Sequence, residues 1–522
     1  MTCEIPLGNK TIIILGGRAN ELRKYNKDSS QNCSYPPPTK SNHKLLYLLI
    51  LLLISFSSTI GYAPAWAEGT EPISKDNVYQ IGTADELVWF RDSINSGDIP
   101  ASSDAKLTAN IDLTRAGGQP SRWQPIGGAF NGKEHYYEGT FDGCGHSVKG
   151  YTVTSADMVD IYDRKAAGFF GVLSNGATVK RLTLLGDVNV ASVVSIYAGG
   201  FAGITYNSTI TNCTYSAIIN VSNSGGMGFV GGFVGYPHGG KIVNCIYSGT
   251  GGVTSQANYY TGGFVGCSEG CTIINCTYSS TGGISISGDI AAYGGGFVGE
   301  NYGTIINCVF SGAGIVSASG CDKVGGLVGV NHGTITNCGW LNTAASEDVG
   351  LNNGGNKTDV VSLDSKEFTR IVTTILLNET TVAEGASTEV NITTYPGKPD
   401  DIAKYFTIIS ADTSDNAVAT IAAGKSGIIV SGLKAGVTEI LAFVKLNTFN
   451  FKDKTISENT PIETELISPV TVEAEPISPI PPTPPIQPTT PQPHSGGSSG
   501  CNMGTTAIVL LALLPLLYRK KR

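Results

Sequence analysis

Between residues 166 and 342, short apolar stretches alternate with glycine pairs on a fixed beat. Gly199-Gly-Phe-Ala-Gly203 returns as Gly231-Gly-Phe-Val-Gly235, Gly262-Gly-Phe-Val-Gly266, Gly295-Gly-Phe-Val-Gly299 and Gly325-Gly-Leu-Val-Gly329, after a weaker first copy, Ala167-Gly-Phe-Phe-Gly171. Successive starts are 30–33 residues apart. A second element keeps the same period: Thr209-Ile-Thr-Asn-Cys213, Lys241-Ile-Val-Asn-Cys245, Thr272-Ile-Ile-Asn-Cys276, Thr304-Ile-Ile-Asn-Cys308 and Thr334-Ile-Thr-Asn-Cys338. The first unit has Leu182 in place of the cysteine. Two residues after each Cys stands an aromatic: Tyr215, Tyr247, Tyr278, Phe310 or Trp340.

Side chains alternate faces along a strand, so Ile210 and Cys213 cannot both point inward from one straight strand. They can if Asn212 occupies a corner, because Asn tolerates the left-handed backbone that turns the chain. The predicted order is Ile inward, Thr outward, Asn at the bend, Cys inward, Thr outward and Tyr inward. Coils stacked about 4.8 Å apart would align these residues in columns. The expected fold class is all-β: a right-handed parallel β-helix, or solenoid, followed by an Ig-like β-sandwich. Propeller blades, at about 40–45 residues each, are too long for this period.

Residues 68–165 read as the solenoid's N-terminal cap and first coils, and 166–342 as its repeats. Thr83-Ala-Asp-Glu86 is a capping box, followed by Leu87, Phe90 and Ile94 on one helical face. Such a helix can cover the open end of a coil stack, which otherwise exposes unpaired backbone. Residues 343–369 are expected to be a linker. Residues 370–474 alternate as strands do, for example in Thr388-Glu-Val-Asn-Ile-Thr393 and Gly427-Ile-Ile-Val430. Residues 475–500 form a proline- and glycine-rich stalk.

Both ends carry apolar runs. Residues 1–67 hold an N-terminal extension and a signal peptide: Lys44, the run Leu45 to Ile60, then Ala65-Trp66-Ala67, with cleavage expected between Ala67 and Glu68. Residues 501–522 begin with Cys501 and carry an apolar run, Thr505 to Tyr518, then Arg519-Lys-Lys-Arg522. That run is shorter than the roughly 20 residues that span a bilayer comfortably, and its basic end should stay cytoplasmic. The predicted address is therefore exported: the cell surface or outer membrane, or secretion, with C-terminal anchoring. The exported part, residues 68–500, holds 23 basic and 39 acidic side chains, a net charge of −16. That excess disfavours nucleic acid as a partner.

Three segments resemble known families. The block 166–342, most closely Gly325-Gly-Leu-Val-Gly329 with Asn331-His-Gly-Thr-Ile-Thr-Asn-Cys338, is similar to the bacterial GLUG repeat. That resemblance implies surface or secreted proteins, some adhesin-like, and no single activity. Ala417-Val-Ala-Thr-Ile421 followed by Val430-Ser-Gly-Leu-Lys-Ala-Gly436 resembles a bacterial Ig-like domain of group 2, which implies a spacer or adhesive module. The tail, with Ser-Gly-Gly-Ser-Ser-Gly-Cys501, resembles a Synergistes-type CTERM sorting signal. It implies inner-membrane sorting machinery as a partner, processing near Gly500 and Cys501, and anchoring through Cys501.

Candidate chemistry is sparse. Between residues 199 and 342 the charged side chains are Lys241, Glu269, Asp289, Glu300, Asp322 and Lys323, scattered along the sequence. Asp142, Glu134, Glu138, His135 and His146 lie close together in the lead-in, where solvated turn residues are the expectation over a metal site. No H-E-x-x-H occurs. Cys267 and Cys271 are close enough in sequence to close a small disulfide loop. No catalytic residue, metal site or cofactor is assigned, and the chain reads as a non-enzymatic binding or structural module. Its expected partners are glycans or extracellular matrix and surface proteins. A carbohydrate-active β-helix enzyme is the alternative, to be favoured by acids gathered on one face of the coils.

Overall fold

The computed structural model describes residues 2–7, 10–15, 69–115, 117–312, 316–390, 392–423 and 427–474. The processing residues Ala67, Glu68, Gly500 and Cys501, with the signal, stalk and sorting segments, lie outside the described residues. A separate antiparallel pair joins Thr2–Leu7 to Lys10–Leu15. The remainder is nearly all β, dominated by a solenoid of about seven turns.

The helix α1 (Ala84–Ser96) forms where the capping box predicts it. The Glu86 backbone N–H donates to Thr83 Oγ1 at 3.2 Å, and the Thr83 N–H donates to Glu86 Oε2 at 3.0 Å. Gly97, at φ +80°, ends it in the left-handed conformation. Leu87, Phe90 and Ile94 are fully buried, and the Phe90 ring sits 6.1 Å from those of both Tyr137 and Phe141. Asn95 fixes the helix to the first coils by donating to the Pro125 carbonyl and accepting from the Gly127 N–H.

Each repeat contributes strands to two sheets. In one unit, Thr209–Thr211, Thr214–Tyr215 and Ile219–Gly231 belong to a long sheet, and Val234–His238 to a second, seven-stranded one. All four pair in parallel with the same strands one coil on, so Ile210 faces Ile242, then Ile273, Ile305 and Ile335. The Cys and aromatic residues form columns as expected. All five cysteines are fully buried, and Tyr247–Tyr278 and Tyr278–Phe310 ring centroids lie 4.8 and 5.0 Å apart. Phe201, Phe233, Phe264 and Phe297 make a second interior stack at 4.7–4.8 Å. The corner is also as read from spacing: Asn212, Asn244, Asn275, Asn307 and Asn337 have φ between +50° and +54°. The paired glycines are required by close approach. A Cβ on Gly232 would stand 2.1 Å from the Gly263 carbonyl oxygen, closer than any side chain can approach.

Two expectations change. Residues 343–369 do not run as a linker: Val349–Asn352 pairs with Val328–Asn331, and Asn356–Leu363 with Thr334–Leu341, so they build one more coil. The second concerns the outward positions of the repeat, where the Thr after Cys213 or Cys276 is expected to face away from the coil interior. Thr214 and Thr277 are buried there because the chain beyond residue 370 folds back over the Asn corners. Thr374 Oγ1 donates to the Asn275 carbonyl (2.6 Å), Asn212 Nδ2 to the Glu465 carbonyl (2.8 Å) and Asn337 Nδ2 to the Phe449 carbonyl (2.6 Å). That C-terminal unit comprises the pair Val372–Leu377 and Ile392–Pro396, a four-stranded sheet dominated by the hairpin Gly436–Asn450/Thr455–Glu473, and a three-stranded antiparallel sheet. Among the described residues no helix is long and apolar enough to cross a membrane.

Candidate functional site

Where the long strand of each unit ends, the Gly-Gly-Phe turn sends the chain into the second sheet, and the two sheets meet at an outer corner. An aromatic two residues before four of these glycine pairs lines that corner. Tyr197, Phe229, Tyr260 and Tyr293 stack one coil apart, with centroids 5.3, 5.8 and 5.5 Å from one to the next. Lys323 continues the column, in register with Tyr293. Arg164 opens it, lying 5.4 Å over the Tyr197 ring and donating to its phenol oxygen. Tyr236 crosses from the second sheet to within 5.1 Å of Phe229 and 5.3 Å of Tyr197. With Val159, Ile161, Val172 and Ile204, the rings of Tyr197, Phe229, Tyr236 and Tyr260 make a small core separate from the main one.

A polar column runs beside it. Tyr206 pairs with His238 and His238 bridges to Glu269. On the following coils Tyr302 stacks on His332, the rings 4.3 Å apart and 6° from parallel. The Tyr236 phenol donates to Glu269, whose Oε1 is 3.8 Å from His238 Nε2. Glu300 is 4% exposed and richly supplied with donors. Its Oε2 accepts from the Cys267 thiol at 3.5 Å, its Oε1 is 3.3 Å from His332 Nε2, and the Tyr260 and Tyr302 phenols also reach it. Burial and the Glu300 charge push the Tyr302 phenol up to about 12, so it stays a donor at any physiological pH. The same two causes raise the Cys267 thiol well above its usual value, the reverse of what a thiolate nucleophile needs.

Stacking thus gathers two acids that lie apart in the sequence. Glu269 and Glu300, on adjacent coils, both act on the Tyr302 phenol. Lys241 is exposed at the start of its strand. The acids and histidines of the lead-in disperse instead. Asp142 is held by Arg181, Glu138 accepts from Ser174 and Asn175, and His135 lies against Gly97. Asp142 and His146 are largely buried, not solvated turn residues as expected. Among the described residues no group of three or more His, Cys, Asp or Glu side chains is arranged to hold a metal ion. Cys267 and Cys271 are both free: Cys267 belongs to the corner and Cys271 to the main core, on different sides of the wall. The tyrosine corner itself was not anticipated, although its signal, an aromatic two residues before a repeat's glycine pair, occurs four times.

No family profile matches the chain. A "Putative Gly-rich membrane protein" of Evansella cellulosilytica is 28% identical over 163 residues, which are 30% of this chain and 17% of that relative's length. The structure is similar to that of a "putative immunoglobulin A1 protease" from Bacteroides ovatus, with a TM-score of 0.41 and 21% identity over 58% of this chain and 89% of that one. It is also similar to a structure named "IgA1 Protease", with a TM-score of 0.30 and 15% identity over 54% of this chain and 21% of that one. Both neighbours carry the name of a protease, which corrects the expectation of a non-enzymatic chain; that expectation is withdrawn.

Proposed function

We propose that this chain is an exported cell-surface protein with an adhesin-like binding role, its ligand engaged by the tyrosine-lined corner of the solenoid. The corner carries the reading. Tyr is the side chain that supplies broad amphipathic contact at low entropy cost, and here Tyr206, Tyr236, Tyr260, Tyr293 and Tyr302 all remain partly or well exposed on one face. GLUG-type repeats, a group 2 Ig-like unit at 370–474 and a CTERM-type tail processed near Gly500 and Cys501 fit display outside the cytoplasm. Glycans or matrix and surface proteins are the partners such a face serves. The test is a glycan and matrix-protein array probed with the full chain and with Tyr236→Ser/Tyr302→Ser. Loss of the bound set in the variant is expected, and an unchanged binding pattern would overturn the role given to the corner.

A second reading, a carbohydrate-active enzyme, is favoured by one observation: Glu269 and Glu300 converge on Tyr302 from adjacent coils. Release of new reducing ends from a polysaccharide, abolished by Glu300→Gln, would select it.

A further inference from the structure

The corner's geometry also bears on the class of its ligand. The column from Tyr197 to Lys323 crosses five coils, roughly 20 Å at the spacing of stacked strands. One coil is close to the length of one pyranose unit in an extended polysaccharide, so a glycan laid along the stacking axis meets equivalent groups at each step. The rings within the column lie near-parallel, at 16–34°, and each covers a face of its neighbour. Tyr197 and Phe229 are buried, and the half-buried Tyr260 and Tyr293 offer solvent ring edges more than open apolar faces. A protein partner is usually anchored in desolvated apolar pockets, which this column does not provide.

The side chains beside the column are hydrogen-bonding groups of both kinds. Tyr206, Tyr236 and Tyr302 carry phenol groups, the exposed Glu269 is an acceptor, His238 and His332 serve as either, and Glu300 lies buried behind them, held by Cys267, Tyr260 and His332. Tyr302 is 48% exposed, with one ring face backed by His332 and the rest of the ring open to solvent. Charge narrows the class. Among the column's own cations, Arg164 is engaged by Tyr197 and Asp163, and Lys323 stands at the far end. The exported part is acidic overall, which opposes a polyanion.

We infer that the corner binds a neutral, extended polysaccharide running parallel to the coil-stacking axis, with a sugar ring against the Tyr302–His332 platform and Glu269 accepting its hydroxyls. This rests on the binding role proposed above and specifies its ligand. The test is affinity electrophoresis of the full chain through gels containing xylan, mannan or mixed-linkage glucan, with polygalacturonate and chitosan as charged counterparts. Retardation by at least one neutral glycan is expected. Tyr302→Ala should weaken it about tenfold, the worth of one aromatic contact, and Tyr302→Phe should weaken it less. Thermal melting of Tyr302→Ala checks that the solenoid is intact, as substitution of a half-exposed side chain should leave it. Retardation by polygalacturonate or chitosan alone, or equal retardation of Tyr302→Ala and the parent, overturns the inference. If no glycan retards the chain but a matrix protein binds through the corner, this inference fails and the binding role stands. If nothing binds in either assay, both fail.

Discussion

The asparagine at each corner does two things with one side chain. It accepts a positive φ that most residues avoid, and its amide joins a column along the stack. Asn307 Nδ2 donates to Asn275 Oδ1 at 2.6 Å, and Asn337 Nδ2 to Asn307 Oδ1 at 3.2 Å. Asn275 is fully buried beneath the C-terminal unit, with φ +52°. Asn275→Ala should therefore lose the amide hydrogen bond and meet the left-handed penalty, about 2–3 kcal/mol together. Asn275→Gly loses only the hydrogen bond and should be less destabilised. Urea midpoints of the two variants check the order, and equal midpoints would mean that backbone strain plays no part. This corner was legible in the sequence because Ile and Cys three apart cannot share a straight strand's inner face. The role of Glu300 was not, because its donors Cys267, Tyr260, Tyr302 and His332 come from three coils and only the register brings them together.

At the scale of the element, the exception to the Asn corner is as informative as the rule. In the first repeat the position belongs to Arg181, at φ +55°. Its guanidinium clasps Asp142 and reaches Glu465 of the C-terminal unit at 2.8 Å. Burial alone would raise the Asp142 carboxyl, but the Arg181 guanidinium, helped by the Cys144 N–H and Lys180, holds the group below its usual range. Arg181→Asn restores the repeat's own corner residue and suits the backbone, yet it should destabilise by about 2–4 kcal/mol by stranding a largely buried carboxylate. Adding Asp142→Asn should recover much of that loss in the same unfolding assay. A stable Arg181→Asn single variant would mean that corner geometry outweighs the ion pairs. The solenoid strands were readable from the period alone. The last coil, residues 349–363, was not: it has neither a Gly-Gly-Phe-Val-Gly copy nor a cysteine, and it takes its conformation from pairing with the coil before it.

Across the whole molecule, the C-terminal unit splints the coil stack. The segment from Phe449 to Ser468 descends the corner face from Asn337 past Asn212 to Gly145, tying coils that otherwise touch only their neighbours. An unsupported solenoid can fray coil by coil, whereas one bound along its length should unfold together with its splint. The seam should weaken in mild acid, and the sign follows from His146. Burial lowers its pKa below the usual value, opposed in part by the charge of Glu379 on the splint. The folded state thus prefers neutral imidazole, and His146 contributes its full stability above about pH 6.5. That contribution drains as pH falls through 6.5 toward the folded value. Asp142, with its depressed pKa, keeps its contribution until pH drops below about 4. Hydrogen exchange of Leu466, Ile467 and Ser468, corrected for intrinsic rate, should therefore quicken between pH 7.5 and 5. His146→Leu, which removes the titrating ring from this seam, should abolish the increase. An equal acid response in His146→Leu would assign the weakening to another group and leave the splint without its proposed pH sensitivity.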